Sequence, residues 1–390
     1  MFFIKKEILL TSTHKTKNLK KPFLLLLALI SFHITYSQNS YVFFGSYTPD
    51  KSAEGIYIYQ LDTIKGKLSK ITSISNISNP SYLSISNEGQ FIYACTESKT
   101  PNAGSVSSFK FDPQNKSLTF LNSQKTNGEN PVYLSLDHTG KWLVDANYTG
   151  SSISIFPIAE DGKINPIVQH IPFTEGSINP ERQKSSHVHS VFFSPDNNYI
   201  ISPDLGADKI RIFPFDNNKK EPLDISNSNF VKSTPGSGPR HFAFHPNKKW
   251  GYSIEEIAGA ISSYTFEKGQ LNLIERIKIQ SKKESKDFGS AEILISSDGK
   301  FLYVSNRGIE NSISIYGIQK NGTLKSVATQ SSLGNHPRNF AISPSGKFLI
   351  VANMNSENVI VFKRNPKTGL LKKVSELKLK NISCVKIKNI

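Results

Sequence analysis

Two cysteines, two methionines and two tryptophans are all that this chain of 390 residues contains. So few thiols exclude a disulfide framework and a paired-cysteine zinc site, and Cys95 and Cys384 read as small apolar strand residues. Charge is also thin, at 20% of residues, while Phe and Tyr are plentiful. That balance excludes a disordered or long-helical chain and favours an all-β globular protein. Arginine is rarest among the charged types, seven against forty lysines. The net charge of +16 is not arranged as a basic stripe interleaved with stacking aromatics, so no nucleic acid is expected as a partner. Dispersed lysine of this kind serves solubility first and attraction to anionic substrates second. A glycine-rich phosphate loop and a nucleophilic-serine motif are missing too, and no cofactor or metal is expected.

One apolar run stands out, "PFLLLLALISF" at residues 22–32, preceded by Lys15, Lys17, Lys20 and Lys21. It is too short to span a bilayer, and its basic flank makes residues 1–38 a signal peptide, with cleavage expected near Ser37–Gln38. No cysteine follows it, which argues against a lipid anchor. Residues 1–38 hold six lysines and one glutamate, leaving about +11 on an exported chain with no stable membrane insertion.

What the chain does have is a repeat. "NPSYLSISNEG" from Asn79 returns as "NPVYLSLDHTG" from Asn130, "HVHSVFFSPDN" from His187 and "GPRHFAFHPNK" from Gly238. It continues as "GSAEILISSDG" from Gly289 and "HPRNFAISPSG" from His336, at intervals of 51, 57, 51, 51 and 47 residues. A period near 50 built from alternating strands is the signature of a β-propeller. A second strand follows each phrase, and a seventh, "YVFFGSY", opens at Tyr41 with no first strand before it. The apolar "ISCVKIK" at residues 382–388 supplies the missing one. The expected fold is therefore all-β, a seven-bladed propeller over residues 39–390 whose first blade is closed by the C-terminal strand.

In a blade the second strand runs antiparallel to the innermost one, so its end returns to the face where the first began. Third positions of the phrases and last residues of the second strands then ring one mouth of the channel. The third positions read Ser81, Val132, His189, Arg240, Ala291, Arg338 and, in the closing strand, Ser383. The second-strand ends read Tyr47, Glu97, Tyr148, Leu205, Glu256, Arg307 and Met354. Three of the seven arginines fall in these columns. Arginine grips carboxylate or phosphate in two-pronged fashion and steadies oxyanions, a carboxylate among arginines stays ionised, and histidine titrates near neutrality. Blander readings stand beside this one. His187 and His189 can satisfy loop carbonyls or ligate a metal, Glu255 and Glu256 can form a solvated turn, and Arg240 and Arg338 can pin blades together. Asp204 and Asp208 read as turn and cap residues.

At "NPERQ", "HVHSVFFSPD", "PDLGADKI", "PGSGPRHFAFHPN", "SAEILISSDGKFLYVSNRG" and "HPRNFAISPSGKFLIVAN" the chain resembles the seven-bladed lactonase family. That family includes propeller-type 6-phosphogluconolactonases and carboxymuconate lactonizing enzymes. The resemblance runs from about Tyr41 to the closing "CVKI" and implies a catalytic set of His187 or His189, Arg240, Glu256 and Arg307. Glu256 or one of the two histidines would activate water, and Arg240 and Arg307 would hold the oxyanion and an anionic substituent. Arg338, His336, Glu181 and Arg182 are the expected substrate-binding residues. Where the family often has Asn-Glu this chain has Glu255–Glu256, so an extra carboxylate is expected to alter local charge. The implied protein is an exported, monomeric hydrolase acting on a small anionic lactone. A cycloisomerase and a non-catalytic binding propeller are the alternatives.

Overall fold

A gradient of burial from strand to strand builds each repeat. Second strands such as Trp142–Asn147, Phe301–Asn306 and Phe348–Asn353 are buried along their whole length. They are covered on both faces by neighbouring blades, which is why they read as unbroken apolar runs. Outermost strands such as Gln270–Lys278 and Leu371–Lys378 carry charge and are largely solvated. The computed structural model describes residues 39–50, 52–98, 100–280 and 288–390; the expected signal peptide lies outside the described residues. Among the described residues the chain forms seven four-stranded antiparallel sheets and no helix long and apolar enough to cross a membrane.

The first sheet runs, from the inside out, Ile382–Asn389, Ser40–Ser46, Ile56–Leu61 and Leu68–Ile74. Closure by the last strand is as expected. The backbones of Asn39 and Ile390 exchange hydrogen bonds of 3.0 and 2.9 Å. Val42, Phe44, Ile382 and Val385 pack against Phe348, Ile350 and Val361 of the seventh blade. Tyr41, Phe43 and Cys384 pack on Leu83 and Ile92 of the second. Both cysteines are free and buried.

The ring has one recurrent irregularity. Pairing between first and second strands slips at Pro80/Tyr82, Pro131/Tyr133, Pro239/His241, Ser290/Ile293, Pro337/Asn339 and opposite Gly45/Ser46. Each slip is a β-bulge, and the residue it leaves over is the third of the phrase, or the third and fourth sharing one partner in the sixth blade. In the fourth blade four steps from Val188 to Phe192 face three from Asp204 to Ile201, so the extra residue is there as well. A bulge frees one side chain from the ladder and re-aims it. Here it turns the third position of every blade toward the rim of the channel. Just before it, the carbonyl of the first position accepts the N–H of the second-strand end in all seven blades, at 2.7–3.1 Å. Six of those first positions, Asn79, Asn130, Gly238, Gly289, His336 and Asn381, have positive φ. Asn and Gly recur there because the left-handed region penalises most other residues.

The fourth blade departs from its siblings. "HVHSVFFSPDN" was expected to run as a full inner strand, but only Phe192–Phe193 pairs, with an isolated bridge at Val188. Asp204 pins the entry to this segment. Its buried carboxylate accepts from the His187 backbone N–H at 2.8 Å and from Ser186 Oγ at 2.6 Å. The segment carrying both histidines keeps backbone bonds to the second strand, from Leu205 N–H to His187 O at 2.9 Å and from His189 N–H to Pro203 O at 3.1 Å.

Candidate active site

Two blades and one loop converge on a single carboxylate. Arg240 sits on the fifth-blade bulge, Glu256 at the end of the fifth blade's second strand, and Arg307 at the equivalent place in the sixth. Arg182 comes from the loop inside the long 57-residue repeat. Arg182 Nη2 lies 2.6 Å from Glu256 Oε1, while Arg240 Nε and Arg307 Nη2 lie 2.8 and 2.9 Å from Oε2. The Arg240 approach is an ion pair without a hydrogen-bonding angle; its Nη1 makes the directed bonds, to Ala291 O at 2.7 Å and His241 Nε2 at 3.1 Å. Arg307 is fixed through Nε on Gly289 O, 2.8 Å. Glu256 is only 5% exposed. Burial would raise its carboxyl, yet Arg307, Arg240 and Arg182 outweigh that and hold it well below the usual carboxylate range. Burial and the nearby Arg307 in turn pull the Arg240 guanidinium down to about 10.

The histidines flank this cluster. The His187 ring stacks on Tyr148 with centroids 4.4 Å apart, and its Nδ1 lies 2.9 Å from the Tyr148 carbonyl oxygen. A carbonyl can only accept, so Nδ1 carries the proton and Nε2 of the neutral ring keeps its lone pair. His189 is buried, packs edge-on to Tyr148 and His241, and has no hydrogen-bond partner at Nδ1 among the described residues. Burial, Arg240 and His241 keep it neutral far below the ordinary imidazole range. His336 is half-buried and brought down to about 4 by burial, Arg307, Arg338 and Arg240. Arg338 lies over the Tyr47 ring at 5.6 Å, and the Tyr47 hydroxyl donates to Glu97 at 2.7 Å.

A match to the family of seven-bladed β-propeller lactonases extends over residues 41–387. The chain belongs to that family. Among curated lactonase relatives it is 40% identical to a 6-phosphogluconolactonase of Formosa agariphila, covering 77% of this chain and 86% of the relative. It is 32% identical to the 6-phosphogluconolactonase of Bacillus subtilis, over 76% and 83%. The solved periplasmic gluconolactonase of Pseudomonas aeruginosa superposes with a TM-score of 0.83 at 32% identity, covering 90% of this chain and 99% of that one.

Within this lactonase, His187, His189, Arg240, Glu256, Arg307, Arg338 and His336 lie about this one mouth, and Arg182 joins them by gripping Glu256. Glu181 does not: it occupies an exposed turn capped by Asn179, and its side chain makes no contact with the cluster. The extra carboxylate of Glu255 leaves the mouth's charge unaltered, because Arg276 neutralises it within the blade at 2.6–3.1 Å and Ser262 Oγ donates to it at 2.8 Å. Asp204 is more than a turn residue, as it also takes a bond from Arg211 Nε at 2.9 Å and anchors the histidine segment. His241 and Glu292, one layer below the rim, escaped the sequence reading. A signal was available, since the fourth positions of three consecutive phrases read His241, Glu292 and Asn339.

Proposed function

We propose that this mouth hydrolyses an anionic sugar-type lactone, with His187 as the base, Arg240 and Arg307 as oxyanion donors and Arg338 as the seat of the substrate's charge. One observation carries the reading: the arginines are unequally engaged. Arg182, Arg240 and Arg307 all close on Glu256, whereas the half-buried Arg338 guanidinium has no hydrogen bond or ion pair among the described residues. Four guanidinium groups face the two carboxylates of Glu256 and Glu97, an excess of two positive charges that an anionic ligand offsets.

In this scheme the His187 Nε2 lone pair takes a proton from water as the water oxygen attacks the lactone carbonyl carbon. Charge collecting on the carbonyl oxygen meets Nη2 of Arg240 and Nη1 of Arg307, which make no hydrogen bond among the described residues. The tetrahedral centre collapses, the ring C–O bond breaks, and the imidazolium returns its proton to the departing alkoxide. Glu256 is too acidic a carboxyl to serve as the base; it holds the arginines in place. Relatives named 6-phosphogluconolactonase and gluconolactonase support a sugar lactone as substrate.

Proton release measured over a panel of neutral and anionic lactones tests this. The wild type is expected to turn over anionic sugar lactones. His187→Gln should lower kcat by roughly 10²–10⁴ with an unchanged melting temperature. Arg338→Met should raise KM for anionic lactones and leave neutral ones alone. Retention of kcat within tenfold by His187→Gln moves the base elsewhere, and no turnover of any lactone by the wild type leaves a binding propeller.

The leader pattern at residues 1–38, together with the periplasmic solved relative, supports export. Protein recovered from outside the cytoplasm should then begin near Gln38 by mass spectrometry. Cytosolic protein retaining Met1 would overturn that.

A further inference from the structure

Beneath the rim lies a second polar layer that the scheme above does not use. Its members are the fourth positions of the fifth, sixth and seventh blades, His241, Glu292 and Asn339, which are 2, 4 and 2% exposed. Polar groups so buried are costly unless every donor and acceptor is matched. The contacts here match in one direction only. Arg240 Nη1 has no lone pair, so His241 Nε2, 3.1 Å away, must accept. His241 Nδ1 then carries the proton and donates to Glu292 Oε1 at 2.9 Å. Glu292 also receives the Ile293 backbone N–H at 3.0 Å on Oε1 and Asn339 Nδ2 on Oε2. Asn339, with its amide so oriented, accepts the Val385 N–H on Oδ1 at 2.8 Å.

We infer that His241 and Glu292 form a positioning dyad that aims the Arg240 guanidinium, within a hydrogen-bonded belt whose far end is the strand that closes the ring. Arg240 points into the rim because His241 Nε2 and Ala291 O together fix Nη1, leaving Nη2 free to meet the oxyanion. His241 can do so only as the Nδ1–H tautomer, which Glu292 enforces. All three groups facing Glu292 are donors, so the belt is complete when this carboxyl is ionised. Around it stand Arg240 and His241 of the fifth blade, Lys386 of the closing strand, and Tyr82 and Tyr133 across the channel. Burial raises Glu292 to about 7, with Lys386 and Arg240 pulling the other way. Loss of the charge as pH falls through that value removes one acceptor and frees His241.

The polarity of the belt supplies its own test. Glu292→Gln puts an amide donor against the Asn339 amide donor and breaks the chain. Adding Asn339→Asp restores complementarity: the new amide donates to the new carboxylate, which still accepts from Val385. On the lactonase reading, Glu292→Gln is expected to lower kcat roughly 10–100-fold with little change in KM. The double variant should recover most of that. Histidine ¹⁵N spectra of the whole protein read the belt without any turnover. His241 should show Nδ1–H with a bare Nε2 in the wild type and in the double variant, and lose that state in Glu292→Leu, which removes the acceptor altogether. Should Glu292→Leu keep both kcat and the tautomer, or the double variant fare no better than Glu292→Gln, the dyad is wrong. If the spectra follow the pattern while no lactone turns over, the dyad stands and the substrate assignment fails.

Discussion

Glu256→Gln is expected to lose both stability and turnover, and the pairing of the two losses is what identifies the role of this residue. Its carboxylate is the common counter-ion of Arg182, Arg240 and Arg307, all within 2.9 Å. Glutamine keeps the size but removes the charge and can set an amide N–H₂ against guanidinium groups that have only hydrogens to offer. Removing one partner from a buried ionic cluster costs about 3–5 kcal/mol, because the charges left behind have no water to turn to. For a domain this size that is a fall in melting temperature on the order of 10 °C. Turnover should drop by about 100-fold or more, since the oxyanion donors lose the group that fixes their direction. His187→Gln offers the contrast, with catalysis lost and melting unchanged. A Glu256→Gln protein that melts like the wild type would show that the three guanidinium contacts carry no stability.

Deleting residues 382–390 should have the largest effect on folding. The strand Ile382–Asn389 pairs along the length of Ser40–Ser46 and buries Ile382, Cys384 and Val385 between the seventh and second blades. Two fully buried aliphatic side chains alone are worth about 3–6 kcal/mol, against a margin of roughly 5–15 kcal/mol for a whole domain. Lost with them are the bond from Ser383 Oγ to Ser81 O at 2.9 Å and the Val385 end of the buried belt. The expected product has no single sharp thermal transition and exposes Ser40–Ser46 as an open edge prone to foreign strands. A synthetic peptide spanning 381–390 should rescue it by strand addition. Unchanged melting of the truncated protein would show that the ring holds without its last strand.

Blade count, ring closure and the two columns at the mouth could all be read from the sequence, for one physical reason. Each is fixed by a period-two pattern or by a first-position Asn or Gly that recurs at the repeat length, so the information is local and stated seven times. Contacts that belong to one blade alone were out of reach. That Arg182 closes on Glu256 depends on the path of a loop present in a single repeat. Glu255 looked like a second rim carboxylate because the sequence does not say that Arg276, on the outermost strand, returns beside it. Asp204 looked like a turn residue because its donors, Ser186, His187, Ala207 and Arg211, come from both sides of the hairpin. His241 and Glu292 were hidden by the bulge, since simple alternation does not show which side a fourth position faces once an extra residue has been inserted before it.

That extra residue has a bearing on how such proteins diverge. Ser81 and Val132 occupy the same unpaired socket as His189, Arg240 and Arg338, yet contribute no charge. Exchange at a socket removes no rung of the sheet, so variation there is screened by what the ring recognises more than by whether it folds. A lineage built on this frame can change its ligand by drift at a handful of codons while its blades stay the same. The sockets filled here by serine and valine are the places to begin when a new preference is to be installed by selection.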